Sequence, residues 1–97
     1  MAGFIQLIEF ESNDVDAVQE AIQKFRDEHP DVMTFTASQV AEDRDQPGTY
    51  ISIVEFASYE EAMRQSNHPT LSEFVQSIGP ELMANRRFRN LDVKGTV

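Results

Sequence analysis

Residues 4–10 place Phe4, Ile8 and Phe10 on one side of an extended chain and Ile5 and Leu7 on the other, which predicts a strand with two apolar faces. Ser12-Asn13-Asp14 then supplies a helix cap with early negative charge. Val15, Val18, Ile22 and Phe25 recur behind it at helical spacing. Pro30 disfavours helical geometry at the residue before it, so this helix is expected to stop near His29. Residues 33–42 alternate weakly and predict a second strand of mixed face. The polar run from Glu42 to Gly48 predicts a turn that joins it, as a hairpin, to a third strand from Thr49 to Phe56. That third strand, with Ile51, Ile53, Val54 and Phe56, is again apolar on both sides.

Ser58-x-x-Glu61 has the capping-box form and opens a second helix, interrupted at Asn67-His68-Pro69. Thr70-x-x-Glu73 repeats the form and restarts the helix through Leu71, Phe74, Val75 and Ile78 to Gly79-Pro80. A turn is expected over residues 81–85. Residues 87–93 follow as a fourth strand, with Leu91 and Val93 on one side and Phe88 on the other.

The order β-α-β-β-α-β in about a hundred residues predicts an α+β fold, the ferredoxin-like or split βαβ arrangement, as one domain over residues 1–97. Its four-stranded antiparallel sheet would carry both helices on one side. Two apolar sheet faces need two covers, and so short a chain has helices for one. A second copy of the chain is therefore expected on the open face, as a homodimer.

Charge narrows the choice of partners. With 17 acidic against 8 basic side chains the chain carries −9, which repels nucleic-acid phosphates and anionic membranes. There is no Cys for disulfides, thiolate metal sites or a thiol nucleophile. No apolar run approaches the ~18 residues of a membrane span, and the basic-then-apolar order of a signal peptide is missing, so a cytoplasmic location is expected.

Three segments resemble the antibiotic biosynthesis monooxygenase family of the dimeric α/β-barrel superfamily. They are the acidic turn Asp43 to Gly48 ending in Pro-Gly, the strand Tyr50 to Phe56 ending in Glu-aromatic before an acidic helix start, and the break Asn67-His68-Pro69-Thr70-Leu71-x-x-Phe74. The resemblance implies two open sheets closing a barrel and a pocket in each subunit between sheet and helices. Some such proteins oxidise phenols or quinols with dioxygen and no metal or flavin, and others degrade haem. The chain departs from the pattern in having Phe56 where many members have Trp. Arg64 or Gln65 stands where many carry a His, with His68 a few positions later. Both departures count most against the haem-degrading branch.

Under this resemblance the leading reading is a cofactor-independent monooxygenase-like protein acting on a small phenolic or quinol-type compound. His68 would move the proton. Asn67, Tyr50, Tyr59, Arg87 and Arg89 would hold the substrate oxygens, the two arginines belonging to the basic cluster Arg86-Arg87-x-Arg89, the one concentration of positive charge in the chain. Each has a structural alternative. His68 and Asn67 stand at a helix break and can cap it, and His29 suits a helix C-terminus. The tyrosines can be core or rim aromatics, and the arginines can pair with Glu9, Glu11 or Glu55. Phe10, Phe35, Phe56, Phe74 and Phe88, with Met33, Met63 and Met83, can line a pocket for a flat aromatic molecule or fill a core. No phosphate loop or His-x-x-x-His pair is present. The competing reading is a non-catalytic dimer of the same fold that binds a small hydrophobic ligand.

Overall fold

Residues 3–79 and 82–96 are described by a computed structural model. Its elements are β1 (Phe4–Glu11), α1 (Val15–Glu28), β2 (Ala37–Glu42), β3 (Thr49–Phe56), α2 (Tyr59–Ser66), α3 (Pro69–Ile78) and β4 (Ala84–Asp92). The strands form one antiparallel sheet in the order β2-β3-β1-β4, the ferredoxin-like topology. Pro80 and Glu81, expected at a helix stop and in the following turn, lie outside the described residues.

α1 begins where Asp14 accepts a hydrogen bond from the Ala17 amide at 3.1 Å, and it ends at His29, just before Pro30. The cap satisfies one of the free amides of the first turn, worth about 1 kcal/mol. Val18 and Phe25, on one stripe of this helix, are buried. Phe25 joins Phe4, Val32, Met33, Phe35, Val54, Phe56 and Ala62 in the core, each large apolar side chain contributing roughly 1.5–3 kcal/mol by leaving water.

The second strand is shorter than the expected run from Met33, because Val32, Met33 and Phe35 are all buried in the core. Near-consecutive residues that all turn inward cannot keep a strand's alternation. The amides of Val32 and Met33 are instead bonded to the His29 carbonyl.

The helix break falls where expected, with a different cap. Ser58 accepts from the Glu61 amide at 3.2 Å and opens α2. α3 opens at His68, whose Nδ1 accepts from the Thr70 amide at 3.2 Å, not at Thr70 itself. Pro69 holds the first helical position, where its fixed φ and missing N–H cost nothing, so the cap moves one residue before it. After Ile78 the chain leaves the helix through Gly79 at φ 85° and ψ 157°, a region that essentially only glycine occupies.

The molecule measures 37 × 33 × 19 Å, and the short dimension matches one sheet and one helix layer at about 10 Å spacing. Register sorts the strand residues between the two faces. Phe4, Gln6, Ile8 and Phe10 of β1 share the helix side with Ser52, Val54 and Phe56 of β3. Ile5 and Leu7 lie on the other side, with Ile53 opposite Leu7, Ile51 one pair further along opposite Glu9, and Leu91 of β4 opposite Ile5. Glu9, Glu11, Glu55, Arg87 and Arg89 share that open face, on which no element packs among the described residues.

Candidate functional site

A cavity of about 710 Å³ lies between the sheet and the helices. Its floor is Gln6, Ile8 and Phe10 of β1, Ser52 and Val54 of β3, and Phe88 and Asn90 of β4. Ile22 and Arg26 of α1, Met63 and Gln65 of α2, and Leu71, Phe74 and Val75 of α3 close it from above. Phe88 keeps 58% of its surface exposed, so the cavity opens along the β4 edge.

Most of the apolar bulk singled out in the sequence is here. Phe10, Phe35, Phe74 and Phe88 line the cavity together with Met33, Met63 and Met83, while Phe56 belongs to the core. Phe74 stacks on Phe25 with centroids 4.3 Å apart, which fixes one wall.

Three neutral polar residues of the lining are buried. Gln6, Ser52 and Gln65 are 9%, 7% and 8% exposed. Gln6 donates through Nε2 to Asn90 Oδ1 at 3.3 Å. The Thr34 amide donates to Gln65 Oε1 at 2.9 Å. Since an N–H can bond only the oxygen end of a carboxamide, this contact fixes the orientation of Gln65 and leaves its NH₂ group as a donor available to a ligand. Among the described lining residues there is no Asp, Glu, His, Tyr or Lys. Among the described residues no group of three or more His, Cys, Asp or Glu side chains could hold a metal ion.

The six candidate residues from the sequence fall outside this lining. His68 is committed through Nδ1 to capping α3, and Asn67 is the exposed C-terminal residue of α2's last turn. Tyr50 stacks on Phe10 at 5.7 Å on the same side of the sheet, outside the cavity lining. Its hydroxyl is held above its ordinary value by burial first, then by the charge and hydrogen bonding of Glu42 and the charge of Asp16. Tyr59 packs edge-on against Phe4 at 5.4 Å and is 52% exposed. Arg87 and Arg89 stand opposite Glu9 and Leu7, on the open face. No carboxylate lies within 4 Å of either arginine among the described residues.

The third member of the basic cluster behaves differently. The β1–β4 register shifts between Glu9, opposite Arg87, and Glu11, opposite Ala84. Asn85 and Arg86 thus span the stretch that Phe10 spans alone, a β-bulge. Asn85 takes the left-handed conformation there, with φ 54°, and donates to Glu11 at 2.7 Å. Arg86 lines the cavity while Arg87 faces away from it. Gln6, Asn90 and Arg26 were missed in the sequence, Arg86 entered it only as part of the basic cluster, and Gln65 only as one of two positions where many members of the resembled family carry a His. The one available signal was Gln6, polar between Phe4 and Ile8 on the inward side of β1.

Comparison with solved structures places this architecture. SnoaB, a cofactor-independent oxygenase from Streptomyces nogalater, superposes with a TM-score of 0.73 at 9% identity, over 99% of this chain and 96% of that one. The chain has its fold. A protein of Caulobacter crescentus provisionally named an antibiotic biosynthesis monooxygenase gives 0.73 at 10% identity, over 97% and 92% of the two chains. One from Chloroflexus aurantiacus with the same provisional name gives 0.69 at 14%, over 98% and 96%. The family whose motifs the sequence resembles thus lends its name to solved structures of this same fold, at identities that establish architecture and leave activity open. No family model matches the sequence, and no curated protein does.

Proposed function

We propose that the protein binds a small, flat phenolic or quinol-type compound in the cavity and oxidises it with dioxygen without a bound cofactor. The observation that carries this reading is the lining: walls rich in apolar side chains, neutral amide and hydroxyl groups on the floor, and no carboxylate among the described lining residues. A phenol entering it meets hydrogen-bond donors and no fixed negative charge, so its anion is favoured over what an acidic site would allow. That anion is the electron-rich form able to react with oxygen. Conversion of a phenol to a quinone by one O₂ places one oxygen atom in the product and releases the other as water, with the substrate supplying the electrons. Gln65 would hold the substrate oxygen through its free NH₂, with Gln6 and Asn90 lining the floor. The shared fold of SnoaB supports this class of activity. Closure of the open face by a second copy completes the proposal, and the apolar stripe of Ile5, Leu7, Ile51 and Ile53 supports it.

A second reading, binding without turnover, is favoured by one observation. No group that ordinarily titrates near neutrality lines the cavity among the described residues, so proton removal would rest on solvent or on the substrate's own acidity. Oxygen uptake with a panel of hydroquinones and anthrone-like phenols separates the two. Uptake above the buffer rate that falls in Gln65→Leu and persists in His68→Ala supports the oxygenase reading with the site as drawn. Uptake lost in a folded His68→Ala restores the histidine as the proton carrier. Saturable binding without uptake leaves the second reading.

A further inference from the structure

We infer that the compound bound in this cavity is an anion with a flat apolar body, whose carboxylate is taken by Arg26. The inference rests on the reading of the cavity as a ligand site and adds the ligand's charge. Its starting point is a mismatch between the chain and its cavity. The chain carries −9, yet the described lining residues include two arginines, Arg26 and Arg86, and no acid. A solvated face of an acidic protein would be expected to show the reverse.

Arg26 is held in place before any ligand arrives. Its guanidinium sits 4.3 Å from the centroid of the Phe35 ring, and Phe35 is itself a buried wall of the cavity. Stacking on a fixed aromatic restricts the side chain and leaves the guanidinium edge, with its forked N–H donors, free to bind an oxyanion. Among the described residues no carboxylate lies within 4 Å of it, so its charge is uncompensated by an ion pair. Arg26 follows Ile22 by one helical turn, placing the cation next to an apolar wall. An amphipathic anion matches that order of surfaces.

Three related probes test this by fluorescence titration: hydroxynaphthoate, its uncharged primary amide, and naphthol. The carboxylate should bind about tenfold more tightly than the amide, the effect of one charge-assisted hydrogen bond. The overall negative charge of the protein works against this preference, so general attraction cannot produce it. In Arg26→Gln the ratio should fall to about threefold or less while naphthol binding is unchanged. Arg44→Gln, in the β2–β3 turn away from the cavity, should keep the tenfold ratio.

Equal binding of all three probes by the wild type overturns the inference and leaves the cavity reading standing. Failure of every probe to bind overturns both. A preference that survives Arg26→Gln and disappears in Arg86→Gln overturns the assignment to Arg26. Arg26 is exposed, and unchanged far-UV circular dichroism would show that Arg26→Gln folds.

Discussion

Replacing Gln65 by Leu should destabilise the protein by more than the loss of an ordinary surface contact, because it strands a backbone group. Gln65 is 8% exposed and accepts from the Thr34 amide at 2.9 Å. Leu fills the same space and offers no acceptor, so that N–H is left unsatisfied at a cost of about 1–3 kcal/mol. A chain of this size unfolds with an entropy of roughly 0.2 kcal/mol/K, so Tm should fall by about 5–15 °C. Gln65→Ala should cost less. Its smaller side chain lets water from the cavity reach the amide, and a bridging water recovers most of a hydrogen bond. Thermal melts followed by circular dichroism at one fixed protein concentration give both values, the fixed concentration being needed if copies associate. A Leu variant melting within about 2 °C of the wild type, or below which the Ala variant melts, would refute the reasoning.

Three further outcomes are expected. Thr34 Oγ1 is buried with no hydrogen-bond partner, so Thr34→Val should be neutral or stabilising by up to about 1 kcal/mol in urea titration, and a loss larger than that would reveal a partner. The native Tyr50 hydroxyl keeps its proton to higher pH than the ordinary value of 10.0. The folded state then binds more protons than the unfolded one above that pH, so this contribution is full below about pH 10 and is lost as pH rises through the native value. Tyr50→Phe should flatten the decline in unfolding free energy between about pH 9 and pH 11. Ile53→Asp, on the open face, should convert a dimer to monomer by sedimentation, whereas a wild type already monomeric at micromolar concentration would remove the need for a covering copy.

Much of the fold could be read along the chain because its signals are local. Asp14 and Pro30 bound α1 where the capping and proline rules put the ends, and Asn67 to Pro69 marked the break between α2 and α3. The cap of α3 was misplaced by two residues because Thr70 has the commoner capping side chain, while Pro69 decides the first helical position. The site was half legible. Phenylalanine and methionine bulk announced an apolar pocket, and periodicity correctly put Arg87 and Arg89 on the side of Leu91. That placement takes them away from the cavity, which lies on the opposite side with Phe88. Gln65 could not be found from pattern, since its role depends on the Thr34 amide, distant in sequence. Arg86 was legible only in part: the alternation that puts Arg87 and Arg89 outward puts it inward with Phe88, but the helices that close a cavity there come from elsewhere in the chain.

The pleat of β4 decides the electrical character of two different surfaces. Three arginines lie almost side by side in the chain, and the alternation of the strand hands Arg86 to the cavity side and Arg87 and Arg89 to the exterior. A one-residue slip of β4 against β1 would exchange them, giving the interior two cations and the exterior one with every arginine left in place. Relatives with the same basic run need not share the same ligand preference.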